Sequence, residues 1–506
     1  MKIRLIALAA ALLAANSLFA QSSPKDIIPA PVQYEITQGT TRLPQAKDMD
    51  IRIGEKKFFS RIKGFGLEDW QVKSAYYLEL TPKGLHIEAA DQEGFFYAIQ
   101  SAYMMNFVSP DIQCCKILDW PRFRHRGMML DVSRNFQPKE FVMKQLDMMA
   151  LLKMNRFHFH LVDHPGWRIQ IDKYPLLTSF SAWRTKNDWQ DWIADGQRFL
   201  DRKDPAAEGG FYTKKDIADI LAYAAARHIE VIPEIEMPGH NFECIAAYPY
   251  LSCMDAEGKE HLKRVQELCP GNEQVYEFLQ NVLKEVFAMF PSKYIHIGGD
   301  EAGKGNWAKC PVCQAKMKAE GLKSVEELQS YLIKRMEKFA NDNGKTIIGW
   351  DEILEGGLAP NATVMSWRGT EGGHKAIADG HDVIFSPTQC YYLDYMQARD
   401  QYRAVGAYQP LKQTYSFEPI DENIAPENVH HVLGVQGNLW TEFVNEQWHA
   451  ETMLYPRLFA IAETGWSQPE KKDYDAFRTR AMTWNKVLDY LGYCHYDLAP
   501  KEKDGN

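Results

Sequence analysis

Beyond Pro121 the chain settles into one texture: short apolar runs, each bounded by turn residues, separated by stretches of helical periodicity. This pattern constrains the fold more than any other feature, because parallel strands are buried on both faces and need a crossover between them. Strands are expected near 127–132, 156–161, 230–235, 294–297, 346–350, 363–367, 382–385 and 432–436. Eight of them predict an α/β fold, a TIM (β/α)8 barrel. The clearest helix spans 213–228, where Thr213 caps, Asp216 follows three residues on, and Ile217, Ile220, Leu221 and Ala224 form one apolar stripe. Only 12 residues separate Trp350 from Thr363, too few for a helix with two loops, so the barrel is expected to be irregular around strands five and six. Ahead of the barrel, strands near 50–53, 75–80 and 85–89 and a helix over 94–107 predict a small α+β domain.

The first 20 residues carry Lys2 and Arg4, then a Leu/Ala run, then small residues ending at Ala20, the pattern of a cleaved signal peptide. The expected organisation is therefore a signal peptide at 1–20, the α+β domain at 21–120, the barrel at 121–495 and a short tail at 496–506, in a soluble exported protein, periplasmic or secreted. No later apolar run reaches the roughly 20 residues a membrane span requires. Without the leader, 56 basic residues face 67 acidic ones, an acidic balance that argues against nucleic acid as a partner. Nine cysteines are too few for a disulfide scaffold of this length. Cys310 and Cys313 form a CPVC pair resembling half a zinc knuckle, but no second CxxC or HxxxH accompanies it, so a local disulfide or two free thiols is expected, with no metal and no cofactor. Oligomeric state leaves no trace in the sequence.

Chemistry concentrates in His296-Ile297-Gly298-Gly299-Asp300-Glu301, where an apolar run delivers adjacent carboxylates into a Gly-Gly bend. Neighbouring side chains on a strand diverge, whereas glycines permit backbone angles that aim both acids at one cleft. Two close carboxylates can hold different protonation states, and glycosidic bond cleavage is the leading reaction that uses such a pair. The alternative is a helix N-terminus, where acids only favour the dipole. Other polar and aromatic residues also fall at the carboxyl ends of the expected strands: Arg134, Asp163, His240, Trp350, Trp367, Tyr392, Asp394, Trp440 and Glu442. In a barrel that rim carries the site.

These segments resemble the β-N-acetylhexosaminidases of glycoside hydrolase family 20. The likeness runs, in family order, through RGMMLDVSRNF, HFHLVDHPGWR, the long stretch ending EIEMPGH, HIGGDE, GWDEIL, VMSWRG, YYLDY and GNLWTE, and covers nearly the whole chain after the leader. It implies an exo-acting retaining enzyme in which the 2-acetamido oxygen of the sugar attacks the anomeric carbon and forms an oxazolinium intermediate, an exception to the two-carboxylate rule. By the same resemblance, Glu301 is the general acid/base, Asp300 holds the acetamido N–H and Tyr392 the acetamido carbonyl oxygen. Asp163 and His240 would form a polar chain behind Glu301. Trp350, Trp367 and Trp440 would wall the pocket, and Arg134, Asp394 and Glu442 would bind the terminal sugar's hydroxyls. The implied partner is a glycan ending in N-acetylglucosamine or N-acetylgalactosamine. Two departures stand out: His164 replaces a second Asp, and Glu236 stands where Asp is common.

Competing readings come from other classes. His158 and His160 point to one side of a strand as metal-ligating HxH pairs do, and with His240 and His296 would suit a metal-dependent barrel hydrolase. A non-catalytic sugar-binding module would keep the aromatic pocket, and a conventional retaining glycosidase would use an enzyme nucleophile without needing the acetamido group.

Overall fold

The computed structural model describes residues 20–253, 266–399, 401 and 403–498. Residues 1–19 of the expected leader and 499–506 of the expected tail lie outside the described residues. The N-terminal part is a five-stranded sheet built from β1 (Gln33–Thr41), β2 (Asp50–Ile53), β3 (Tyr76–Thr81), β4 (Gly84–Ala89) and β5 (Ile112–Asp119), in the order β1-β5-β3-β4-β2. Only the β2–β4 pair is parallel. Helix α1 (Gln92–Val108) packs between this sheet and the barrel. The sequence pattern misses β1 and β5. β1 is an edge strand, QYEITQGTT, with almost every residue exposed, so no hydrophobic alternation marks it.

Eight parallel strands then close into a barrel: β6 (His125–Asp131), β7 (Arg156–His160), β8 (Glu230–Glu234), β9 (Tyr294–His296), β10 (Thr346–Trp350), β11 (Thr363–Ser366), β12 (Val383–Phe385) and β13 (Val432–Leu439). The expected α/β barrel is thus observed, with strand ends within a few residues of those read from sequence. Helices α2 (Lys139–Leu151), α3 (Lys214–Ala225), α4 (Glu273–Met289) and α5 (Val325–Asp342) follow the first four strands. α3 starts with the expected capping box between Thr213 and Asp216. After β10 a single 3-10 turn, Asp351–Leu354, replaces a helix, the irregularity that the short spacing requires.

Side-chain alternation divides the apolar strand residues into two groups. Phe157, Phe159, Val231, Ile347, Val364 and Val435 face the helices and join the large core. Met129, Ile232, Ile348, Met365, Ile384 and Leu433 fill the barrel interior with Trp350, Tyr392 and Trp440 above them. The interior is therefore packed, and only its carboxyl-terminal mouth is free for chemistry.

A buried polar junction joins sheet to barrel. Lys153, at the turn after α2, donates to Asp119 of β5 (2.9 Å) and to the Tyr76 hydroxyl (3.0 Å), and Tyr76 donates to Asp119 (2.6 Å). The Trp466 indole N–H also points at Asp119, at 3.0 Å. Lys153 and Asp119 are both wholly buried, so neither charge has water as an alternative partner. Asp119→Ala should strand the ammonium and lower stability by about 3–5 kcal/mol, measured by urea denaturation; a loss below about 1 kcal/mol would show that the junction does not join the two parts.

Candidate active site

Glu234, the last residue of β8, points into the barrel and lies wholly buried. Strand register sets it beside His160 of β7 and His296 of β9. Its two oxygens meet four ring nitrogens: His160 Nδ1, His158 Nε2 (2.9 Å), His296 Nδ1 (2.8 Å) and the Trp350 indole N–H (2.9 Å). A buried carboxylate survives only when paired and hydrogen-bonded: His160 and the Trp350 indole hydrogen-bond it, while His158 and His296 stand at ion-pair distance, the His296 Nδ1 itself accepting from the Gly298 backbone N–H at 3.1 Å. His160 turns its other nitrogen to Asp163 Oδ2 (2.9 Å). Burial would discharge His160, but Glu234 and Asp163 outweigh it and raise its pKa to about 10. For His158 burial prevails and the pKa falls to about 4, with Gln436 donating to its Nδ1 at 2.9 Å.

From Asp163 the chain of contacts climbs to the mouth. Asp163 Oδ1 accepts from the His164 backbone N–H (2.6 Å) and lies 2.9 Å from His240 Nδ1, while Oδ2 meets Arg134 Nη2 at 2.7 Å. Burial opposes its ionisation, yet Arg134, His240 and His160 together hold it far below the usual carboxylate range. The other nitrogen of His240 faces both members of the acid pair, Asp300 Oδ2 at 3.3 Å and Glu301 Oε2 at 3.6 Å. Burial lowers the His240 pKa, but Asp163 and Asp300 more than reverse this. The approach of His240, working against burial, lowers that of Glu301.

The Gly-Gly bend produces this convergence. Gly298 and Gly299 adopt φ of 67° and 98°, and a Cβ on Gly298 would sit 1.7 Å from Glu236 Oε2. Glu301 and His240 themselves hold positive φ, 47° and 50°, a strain of the kind found where structure is fixed for function. Gln329 of α5 ties the bend by donating to the Gly299 carbonyl at 2.7 Å. No helix starts at Asp300; the next one begins at Pro311, which removes the dipole explanation for the acids.

Around the acids stand the aromatics. Trp367 and Tyr392 lie parallel with centroids 6.0 Å apart, and Trp440 is 6.0 Å from Tyr392 and 5.7 Å from Trp350. Trp350 is only 1% exposed and bonded inward, so it forms the floor of the mouth more than a wall. Arg134 lies over Trp440 (5.0 Å) and pairs with Asp131, Asp163 and Glu442 (3.3 Å to the last). Among the buried polar atoms at this mouth without a hydrogen-bond partner are Asp300 Oδ1, Asp394 Oδ1, Glu442 Oε2 and Trp440 Nε1. Burial, then the Glu442 carboxylate, raises the pKa of Asp394 well above normal; burial also raises that of Glu442, against the pull of Arg134. Every residue singled out from the sequence is thus at this rim or directly beneath it.

Sequence reasoning missed Glu234, His160 as a network member, and Glu352. The alternation of β7 and β8 sends His158, His160 and Glu234 inward together, but that meeting follows only from strand pairing. Glu352, two residues after Trp350, accepts from the Trp367 indole (2.8 Å), and burial followed by Asp300 raises its pKa to about 7. The departure at Glu236 leaves a buried carboxyl with neither oxygen hydrogen-bonded, its pKa raised by burial first and then by Asp300. The HxH pair does face one way, and His158, His160 and Glu234 lie close enough to share an ion. However, both His160 nitrogens address carboxylates and the ring holds its proton to about pH 10, so it offers no lone pair near neutrality.

The His160 shift has a definite sign. Its pKa rises from 6.5 to about 10 on folding, so its stabilisation is complete below pH 6.5 and is lost as pH climbs through about 10. Urea midpoints of the wild type should fall over that window, and His160→Gln should show a flatter slope there; parallel slopes would mean that His160 is not the titrating group.

A family model, "Glycosyl hydrolase family 20, catalytic domain", matches residues 123–469. A β-hexosaminidase of Porphyromonas gingivalis is 39% identical over 452 residues, covering 86% of this chain, which spans 56% of that relative's length. A β-hexosaminidase of Akkermansia muciniphila is 32% identical over 487 residues, covering 93% of this chain and 92% of its own. Among solved structures, the family 20 exo-β-N-acetylglucosaminidase of Vibrio harveyi in complex with N-acetylglucosamine superposes with a TM-score of 0.80 at 28% identity, covering 95% of this chain and 80% of that one. With its barrel, its converging acid pair and these relatives, the chain belongs to glycoside hydrolase family 20.

Proposed function

We propose that the chain is an exo-acting retaining β-N-acetylhexosaminidase that removes terminal β-linked N-acetylglucosamine or N-acetylgalactosamine from glycans by substrate-assisted catalysis. One observation carries this: the acid pair Asp300–Glu301 converges on His240 beside four buried polar atoms that have no protein partner, in an aromatic mouth suited to a sugar. Asp300 Oδ1, Asp394, Glu442 and the Trp440 indole N–H are the groups a hydroxyl- and amide-bearing ring would satisfy. Relatives named β-hexosaminidase and a neighbour holding N-acetylglucosamine support the same substrate class.

In this scheme Asp300 accepts the acetamido N–H and balances the positive charge that develops as the acetamido oxygen attacks the anomeric carbon. Tyr392 donates to that oxygen and orients it, and Trp367, stacked against Tyr392, restricts where the methyl end can lie. Glu301 gives its proton to the departing glycosidic oxygen, then removes one from the water that opens the oxazolinium ring. Its side chain is 60% exposed, so a bound sugar chain would desolvate it and raise a pKa that His240 otherwise depresses. Asp163, fixed by Arg134 and His160, keeps His240 charged and aimed at both acids. Arg134, Asp394 and Glu442 would grip the terminal sugar's hydroxyls and close the pocket, which makes the action exo.

We assign the catalytic unit to 121–495 and a bracing role to 21–120, supported by the family match and by the polar junction at Asp119. We also propose export, supported by the basic start, apolar run and Ala20 of the first 20 residues. Among the described residues no helix is long and apolar enough to cross a membrane.

Hydrolysis of a chromogenic β-N-acetylglucosaminide, compared with the matching β-glucoside, tests the proposal. Turnover should require the acetamido group, Glu301→Gln should lose about 10²–10⁴-fold in kcat/KM, and Asp300→Asn about 10²–10³-fold. Equal turnover of the plain glucoside would overturn substrate assistance. N-acetylglucosamine binding without turnover of either sugar would favour a binding module.

A further inference from the structure

Four cysteine sulfurs meet where the loop after β8 touches the loop after β9. Cys253 lies just past the 3-10 turn Pro249–Leu251, and the Cys269 backbone N–H donates to the Leu251 carbonyl at 2.9 Å. Cys310 caps the helix Pro311–Glu320, and Cys313 lies in its first turn. All four are buried and free of disulfides. Sγ–Sγ distances are 3.8 Å for Cys253–Cys313, 3.9 Å for Cys269–Cys310 and 3.5 Å for Cys269–Cys313, and all the sulfurs lie within 4.8 Å of one another.

These separations discriminate between chemistries. A disulfide needs about 2.05 Å between sulfurs. Four thiolates at about 2.3 Å from one tetrahedral Zn2+ stand about 3.8 Å apart, the edge of that tetrahedron. The surroundings hold the sulfurs in place: Trp307, wholly buried, donates to the Leu268 carbonyl at 3.0 Å, and Cys310 N–H donates to Asn306 at 2.9 Å. Gly271 is packed so closely that a Cβ there would lie 2.5 Å from the Cys313 backbone nitrogen. The helix N-terminus adds a favourable field for thiolates at Cys310 and Cys313.

We propose that Cys253, Cys269, Cys310 and Cys313 bind one structural Zn2+ that ties the loop carrying His240 to the loop carrying Asp300 and Glu301. The CPVC half-site legible in the sequence, whose two thiols are free of disulfides as one of its two expected outcomes had it, is completed by two cysteines whose own spacing matches no CxxC. Binding releases the thiol protons and leaves four thiolates on a closed site with no open position for substrate, so the ion braces and does not react. A second tie joins the same loops, Gly303 N–H donating to Glu267 Oε1 at 3.0 Å.

The test begins with full-length protein purified without added metal, its zinc measured by mass spectrometry and its thiols counted by alkylation under non-reducing conditions. One zinc per chain is expected. Removing it and titrating Co2+ should produce the thiolate-to-cobalt absorption of a tetrahedral site. A Cys310→Ser/Cys313→Ser variant should retain less than about a tenth of the zinc, whereas Cys494→Ser, at the exposed cysteine, should keep it all. The wild-type metal content and cobalt spectrum decide the matter even if the double variant misfolds. Absence of zinc together with two disulfides, or four free thiols that give no cobalt–thiolate band, would overturn the proposal.

Discussion

A carboxylate buried in the barrel interior organises this molecule's mouth. Glu234 has no access to water, and its charge is held by hydrogen bonds from His160 and the Trp350 indole and by the nearby rings of His158 and His296. Because His160 bridges Glu234 to Asp163, the same charge also sets the next layer up. Asp163 then fixes Arg134 and His240, and His240 faces both acids at the rim. Positions at the mouth thus depend on a contact two layers below it as well as on the ties that hold the loops of His240 and of the acid pair.

The rim itself obeys the opposite rule. Below it Glu234, His160 and Asp163 are all hydrogen-bonded; at it, Asp300, Asp394, Glu442 and Trp440 each keep a buried polar atom without a protein partner. Such atoms cost stability unless something supplies the missing bonds. Strain is placed in the same region, in the positive φ of His240 and Glu301 and in the glycines that let Glu236 crowd the bend. A site that is destabilised alone and satisfied by a polar ring separates ligand recognition from the rigid network that holds it in place.

Much of this was legible in the chain. The spacing of apolar runs gave the closed barrel, and the gap before Thr363 gave its missing helix, because chain length limits what a connection can contain. The adjacent acids in the Gly-Gly bend and the polar residues after each strand marked the rim. β1 escaped because its side chains are exposed on both faces, and Glu234 escaped because a single carboxylate in a strand carries no local sign of the histidines it will meet.

What the sequence determined by itself is therefore whatever follows from local periodicity and chain length: the number of strands, which faces are apolar, and where glycine allows the backbone to turn. Only the tertiary structure decided which groups share a neighbour. Barrel closure set β7, β8 and β9 in register and so made one network of His160, Glu234 and His296, and it brought Cys253 and Cys269 to the CPVC pair. The physical reason is that pairing energies act over a few ångströms in space, and separation along the chain has no bearing on them once the barrel has closed.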